Sequence, residues 1–175
     1  MRMRLMKQED VPQVTAIDRE AFPTLWPPAN YERELKNGLA HYIVACGEGG
    51  NIIGFAGLWM LVDEAHITNI AVREKHRRQG IGEELLIGII DLAIKLGANL
   101  ITLEVRASNA EAQKLYGKYG FVRVGLRRGY YTDNREDAVL MSIEDVKSSQ
   151  VKKKLEELKR AHAEEMKKLL TKKEL

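Results

Sequence analysis

The spacing of apolar residues along the first third of the chain predicts two helices and a pair of strands. Asp10 is a helix-capping residue followed by Pro12, and apolar residues then recur at helical spacing. A second, short helix is predicted over about residues 31–37. Two apolar runs, residues 39–46 and 52–62, flank a glycine-rich connection, which predicts an antiparallel hairpin.

The middle of the chain alternates between the strand pattern and the helix pattern. Residues 65–72 have the composition of a strand, and residues 82–96 carry apolar side chains along one helical face. Residues 100–105 then alternate as a second strand. A strand, a helix and a strand in succession predict two parallel neighbours.

The next part of the chain predicts one more helix and two more strands. A capping-box pattern from Ser108 to Glu111 begins a helix that ends at Gly120. Strands over residues 121–131 and 138–143 follow. The pattern as a whole predicts an α/β fold in which a mixed, mostly antiparallel sheet is flanked by helices.

Length and composition favour one globular domain. A chain of 175 residues with 45% hydrophobic content can bury a core of its own. No uncharged run approaches membrane-spanning length, so we expect a cytoplasmic protein that does not bind a membrane. The single cysteine, Cys46, lies in an apolar run, and no His or Cys cluster indicates a metal site.

Charge divides the chain into two parts. Residues 147–175 contain ten Lys or Arg and five Asp or Glu, whereas residues 1–146 contain 18 basic and 20 acidic residues. We expect a folded domain over residues 1–146 and a charged helical tail over residues 147–175. Three interpretations of the tail stay open: a solvated helix, a frayed extension, and an arm that contacts the ribosome or RNA.

A basic turn with two glycines, residues 77–82, precedes the central helix. Because Gly80 and Gly82 lack Cβ atoms, backbone N–H groups there can approach an anion. The helix that follows directs the positive end of its dipole to the same place. The turn is therefore a candidate phosphate site, although a solvated connection can have the same pattern.

Three polar residues after the turn suit group transfer. Strand alternation places Glu104 on the face opposite Leu103, and Asn109 and Tyr116 lie two helical turns apart on one face. A carboxylate that accepts a proton and a phenol that donates one suit group transfer from a nucleotide-bearing thioester to an amine. A salt bridge for Glu104 and a packing role for Tyr116 are the simpler alternatives.

The order of elements and the basic turn resemble the GNAT (Gcn5-related N-acetyltransferase) superfamily. Residues 103–110 and 115–121 are similar to a narrower group within it, the RimI family of ribosomal-protein-alanine N-acetyltransferases. The resemblance covers about residues 3–144. It is reinforced by three further motifs, at residues 69–72, 127–131 and 135–138.

The resemblance implies acetyl-CoA as the cosubstrate and no metal. By position, the implied cofactor-binding residues are Ile70, Ala71, Val72, Arg77, Arg78, Gln79, Gly80, Ile81, Gly82, Glu83 and Asn109. Glu104 is the implied proton acceptor and Tyr116 the implied proton donor. The candidate substrate-binding residues are Trp26, Tyr130 and Tyr131. Glu83 departs from the family pattern and brings a negative charge near the expected phosphates.

The implied activity is acetylation of a protein N-terminus, with the N-terminal alanine of a small-subunit ribosomal protein as the implied substrate. Broader specificity for N-termini or lysine side chains stays an alternative. Transfer to a small-molecule amine is a second alternative, which the scarcity of clustered carboxylates disfavours. A third is an acetyl-CoA-binding, ribosome-associated module with weak catalysis.

Overall fold

The computed structural model describes residues 1–22 and 28–173, which form a seven-stranded sheet with helices on both faces. The strands are β1 (Arg2–Leu5), β2 (Ala40–Cys46), β3 (Ile52–Leu61), β4 (Glu64–Val72), β5 (Leu100–Arg106), β6 (Val122–Arg127) and β7 (Ala138–Ile143). The main helices are α1 (Val11–Ala21), α2 (Pro28–Lys36), α3 (Ile81–Lys95), α4 (Ala110–Lys118) and α5 (Ser149–Lys173). None of these helices combines the length and apolar character that crossing a membrane requires.

The sheet confirms the predicted mixture of strand directions. Its order is β1-β2-β3-β4-β5-β7-β6. The predicted hairpin is formed by β2 and β3, and β4 and β5 are the predicted parallel neighbours. The other neighbouring pairs are antiparallel.

Several elements differ from the sequence prediction for identifiable reasons. The short edge strand β1 was not predicted, because a charged four-residue segment pairs with β2 only in the folded sheet. The strand predicted over residues 121–131 is too long, since β6 ends at Arg127 and Gly129 follows with a φ of 59°. The predicted Ser108 cap is also wrong: Asn109 caps α4, and its Oδ1 accepts a hydrogen bond from the Ala112 N–H at 3.1 Å.

Apolar clusters cover the two faces of the sheet. On one face, α1 and Tyr31 of α2 pack over Phe55 and neighbouring residues of β2 and β3. On the other face, α3 supplies Leu85, Leu86 and Ile89 to the larger cluster. The helices contact the sheet through apolar side chains. The positions of the polar residues of β4 and β5 therefore depend on the course of these two strands.

The parallel strands β4 and β5 pair over only part of their length. Their pairing runs from Glu64 opposite Leu100 to Ile67 opposite Leu103. Directly after Ile67, the pairing of β4 with β3 skips Thr68, which is a β-bulge. The remainder of β4 stays paired with β3, and the remainder of β5 stays paired with β7. The two strands therefore part, and the sheet opens between them.

The tail helix α5 packs antiparallel along α3. Its Leu155 is 2% exposed and belongs to the larger apolar cluster. Lys159 forms an ion pair with Asp91 in the C-terminal half of α3, and His162 bonds with Glu84 in the first turn of α3. The helical form of the tail is as predicted, and its inner face is buried rather than solvated.

Replacing Leu155 with Ala is expected to lower the free energy of unfolding by about 2–5 kcal/mol, because it removes a buried side chain and leaves a cavity under α5. Urea unfolding followed by circular dichroism measures the change. The matched control is Leu170→Ala on the same helix, where the side chain is 61% exposed and the expected change is below about 0.5 kcal/mol. Equal effects of the two substitutions would contradict the packed tail.

Candidate active site

The opening between β4 and β5 is a cavity of about 830 Å³. Both strands line it, together with residues of α1, α2 and α4 and the loop after β6. The sequence-predicted site residues that line it are Ile70, Glu104, Asn109, Tyr116, Tyr130 and Tyr131. Trp26, the other predicted substrate-binding residue, lies outside the described residues. The predicted proton acceptor, the predicted proton donor and both loop tyrosines therefore line the same cavity.

Glu104 is held in this cavity by two partners, His66 and Arg127. It is the first residue of β5 beyond the pairing with β4, and its side chain is 9% exposed. The Nε2–H of His66 on β4 donates to one Glu104 oxygen, and the Nε of Arg127 lies 3.4 Å from the other. Sequence reasoning missed His66, because only the register of β4 against β5 reveals that the two side chains meet.

The ionisation state of Glu104 depends on its burial and on its two partners. Burial by itself would raise the pKa of the carboxyl. The hydrogen bond from His66 and the charges of His66 and Arg127 act in the opposite direction, and together they hold the Glu104 pKa below its ordinary value. Glu104 is therefore ionised at neutral pH.

Tyr116 lies on α4 at the same cavity, and its ring packs 5.9 Å from the ring of Phe121. Burial raises the pKa of Tyr116 to about 12, with a smaller contribution from Tyr131. The phenol is consequently protonated at neutral pH. Its hydroxyl forms no hydrogen bond with another side chain or backbone group in the described ranges, so the proton is available to a ligand.

The loop after β6 brings two tyrosines to the rim of the cavity. Tyr130 and Tyr131 contact each other edge to face at 5.1 Å between ring centroids. The guanidinium of Arg106 lies 4.0 Å from the Tyr131 ring centroid and also bonds Asp133 at 3.0 Å. Glu136 adds a second carboxylate, 3.4 Å from Arg106. Ion pairs from β5 therefore hold this loop against the site.

The basic turn adopts the backbone shape expected of an anion-binding loop. Arg78 has a φ of 61° and Gly80, the residue before α3, has a φ of 79°. Left-handed residues ahead of a helix point successive N–H groups toward one place, and the first N–H groups of the helix lack carbonyl partners. The fit to a phosphate or pyrophosphate therefore rests on the backbone of residues 78–83.

The side chains of the turn have partners of their own. The Arg77 Nε–H donates to the Val72 carbonyl at 3.2 Å, and Gln79 Nε2 donates to the Lys75 carbonyl at 3.4 Å. Arg78 forms an ion pair with Glu111 of α4.

The remaining residues of the turn and the neighbouring strand pack against the core. Ile81 is buried, while a Cβ added at Gly82 would meet only Val72 Cγ2, at 3.9 Å. Ala71 packs in the cluster beneath α1, while Ile70 and Val72 pack toward α3.

The charge of Glu83 is compensated by groups at the C-terminal end of α4. Its Oε1 accepts hydrogen bonds from Lys118 Nζ and from the Tyr119 hydroxyl, both at 2.6 Å. Burial opposes ionisation, but these bonds and the charge of His162 hold the Glu83 pKa below its ordinary value. The negative charge of Glu83 is thus offset by a partly exposed network of hydrogen bonds and ion pairs.

Over residues 1–22 and 28–173, no group of three or more His, Cys, Asp or Glu side chains has an arrangement that could hold a metal ion.

Comparison with known proteins places most of the chain in one family. The model of the acetyltransferase (GNAT) family matches residues 11–121. A Bacillus subtilis protein provisionally named a ribosomal protein bS18-alanine N-acetyltransferase is 40% identical over 79% of this chain and 92% of its own length. An N-alpha-acetyltransferase of Sulfurisphaera tokodaii is 38% identical over 81% of this chain and 91% of its own length.

A solved structure has the same architecture. The crystal structure of the ribosomal-protein-S18-alanine N-acetyltransferase from Escherichia coli superposes with a TM-score of 0.76 and is 34% identical. The match covers 82% of this chain and 93% of the Escherichia coli protein. The helix α5 lies beyond the residues that the family model matches.

Replacing His66 with Leu is expected to raise the pKa of Glu104, because the burial of the carboxyl would remain while its strongest compensating partner is lost. NMR titration of the Glu104 carboxyl carbon measures the change. His41→Leu, on β2, is the control and should leave this titration unaltered. An unchanged Glu104 titration in the His66 variant would contradict the assigned pairing.

The same variant changes how stability depends on pH. A lowered carboxyl pKa contributes stability above about pH 4.3, the ordinary value for Glu, and the contribution disappears as the pH falls through the folded-state pKa. The unaltered protein should therefore lose this stability on acidification, whereas His66→Leu should lack it already at neutral pH.

Proposed function

The chain belongs to the acetyltransferase (GNAT) family, and we propose that it transfers the acetyl group of acetyl-CoA to the α-amine of a protein N-terminus. The first candidate substrate is the N-terminal alanine of a small-subunit ribosomal protein, bS18. The observation that carries the proposal is the convergence of Glu104 and Tyr116 on one cavity, between strands that part beside the basic turn.

Acetyl-CoA supplies an activated thioester as cosubstrate when it is bound. The backbone N–H groups of residues 78–83 are suited to its pyrophosphate, since left-handed Arg78 and Gly80 direct them toward one place. The part of β4 that has left β5, residues 70–72, no longer pairs with that strand, so this edge is suited to an extended arm. Asn109 uses its Oδ1 to cap α4, so its amide nitrogen is the group left for the cofactor.

Glu104 is the proposed proton acceptor. An α-amine with a pKa near 8 is mostly protonated at pH 7, so a proton must leave before the nitrogen can attack a carbonyl. A carboxylate whose pKa is held low is a weak base by itself. We assign proton removal to the Glu104 carboxylate, directly or through a water molecule, and to the Nε2–H of His66 the role of holding that carboxylate in place.

Tyr116 is the proposed proton donor to the departing thiolate. Its raised pKa keeps the phenol protonated over the working pH range. The N–H groups of residues 70–72 are the candidates to stabilise the negative charge that develops on the carbonyl oxygen. Tyr130 and Tyr131, at the rim, are proposed to hold the backbone of the substrate peptide.

Broad specificity for protein N-termini is the second candidate. It is favoured by the 38% identity to an N-alpha-acetyltransferase of Sulfurisphaera tokodaii, which is close to the identity with the bacterial bS18-alanine enzymes. Acetylation of lysine side chains and weak catalysis by a ribosome-associated module are further alternatives. The tail, with its excess of basic residues, is the proposed surface for contact with the ribosome or RNA.

The substitutions Glu104→Gln and Tyr116→Phe test the proton-transfer roles. Each is expected to lower kcat by about 10²–10⁴-fold, the usual size of a general acid or base effect. Binding of acetyl-CoA, measured by isothermal titration calorimetry, should change little. Glu64→Gln, at the exposed start of β4, is the matched control and should keep full turnover. Full turnover in both site variants would exclude the assigned roles.

A panel of short peptides tests the substrate. Thiol release from acetyl-CoA, with the product mass confirmed, is measured on peptides that begin Ala-Arg, Ser, Thr or Met and on one N-terminally blocked lysine peptide. The proposal expects acetylation of the α-amine and a preference for the Ala-Arg peptide. Equal rates on all free N-termini would favour broad specificity. Acetylation of the blocked peptide alone would contradict N-terminal transfer.

A further inference from the structure

The tail helix packs against Gly80 of the turn that is suited to phosphate. A Cβ added to Gly80 would lie 2.7 Å from Met166 Sδ and 3.4 Å from His162 Cε1, so α5 packs directly on the residue before α3. His162 is 3% exposed, which is rare for a residue of a strongly charged tail. The contact brings a titratable side chain of the tail to the start of α3.

The first turn of α3 carries two carboxylates at the point where an anion would bind. Glu83 and Glu84 both lie in this turn. Acidic residues in a first helical turn are stabilised by the helix dipole, but they repel a phosphate that binds the same N–H groups. A cofactor with a pyrophosphate can use this turn only where the two negative charges are compensated.

Compensation comes from two cations on different helices. Lys118 of α4 bonds Glu83 at 2.6 Å. His162 Nε2 bonds Glu84 at 2.6 Å, and His162 Nδ1 lies 3.5 Å from Glu83. With His162 protonated, the four charges of Glu83, Glu84, Lys118 and His162 cancel. With His162 neutral, one negative charge remains beside the turn.

The surroundings of His162 favour its charged form. The titratable groups that face it in the described structure are Glu83 and Glu84 from α3, Lys118 from α4, and Tyr119, which directly follows α4. The bond to Glu84 is the largest influence and, with the charges of both carboxylates, outweighs burial and Lys118. The pKa of His162 is therefore raised above its ordinary value.

We propose that His162 is a positioning residue for acetyl-CoA: from the tail helix it binds and neutralises the carboxylates of the first turn of α3, and so keeps that turn open to the cofactor pyrophosphate. This inference rests on the proposed function, because it takes acetyl-CoA to be the ligand of the turn. It assigns the tail a role inside the enzyme, in addition to any contact with the ribosome. Cofactor affinity should fall as the pH rises through the pKa of His162, because deprotonation leaves the uncompensated charge.

Isothermal titration calorimetry with CoA, on the full chain at a series of pH values between 6.5 and 9, tests the inference without requiring turnover. His162→Gln keeps side-chain length and hydrogen-bonding capacity but not the charge. At the low end of the pH range it should bind CoA roughly three- to tenfold more weakly than the unaltered protein, and at the high end equally well. Comparing the two proteins at each pH removes the titration of CoA itself.

Two further variants separate charge from packing. Lys159→Met breaks the ion pair with Asp91 and loosens α5 without touching the turn, so CoA affinity should be unchanged. The double variant Glu84→Gln/His162→Gln removes both members of the pair and should bind CoA within about twofold of the unaltered protein, since net charge at the turn is restored. In steady-state assays, His162→Gln should raise the KM for acetyl-CoA and leave kcat and the peptide KM unchanged.

The outcomes distinguish this inference from the proposed function. Binding of CoA by the unaltered protein, together with equal affinity of His162→Gln at every pH, would overturn the inference and leave the proposed function standing. An equal loss of affinity in Lys159→Met, or no recovery in the double variant, would show that His162 acts through packing alone and would also overturn it. Failure of the unaltered protein to bind CoA would overturn both.

Discussion

The short pairing between β4 and β5 is the constraint on which the rest of the site depends. The two strands are joined from Glu64 to Ile67 and then part after the bulge at Thr68. Each stays extended because its other neighbour continues to bind it, β3 for β4 and β7 for β5. A gap is thereby held open in an otherwise continuous sheet, and Glu104 is the first residue of β5 to face it.

Ion pairs between distant parts of the chain then set the chemistry inside the gap. Glu104 is buried yet ionised, because His66 and Arg127 compensate it. Arg106 holds the loop of Tyr130 and Tyr131 through ion pairs with Asp133 and Glu136, which follow these tyrosines in the chain. The Glu104 charge, at 9% side-chain exposure, would be costly alone and becomes stable through partners on other elements. The site is therefore sensitive to residues that need not touch a substrate.

The tail helix is also held by contacts between distant parts of the chain. Its apolar residues, including Leu155, join the main cluster, while Lys159 and His162 match carboxylates of α3. The basic composition of the tail predicts contact with an acidic partner, and part of that partner is the protein itself. Composition alone could not reveal this, because the charge counts of the two parts of the chain say nothing about which residues face each other.

Local patterns in the sequence determined the elements, the mixed sheet, the parallel pair and the glycine turn before α3, because hydrophobic periodicity and turn chemistry act between near neighbours in the chain. They also placed Glu104 and Tyr116 on elements next to that turn. The structure decided what depends on residues far apart: β1 at the sheet edge, the loop that follows β6 after Arg127, the meeting of His66 with Glu104, and the docking of His162 on Glu84. Strand register and helix packing create these contacts, and neither is encoded within a short stretch of sequence.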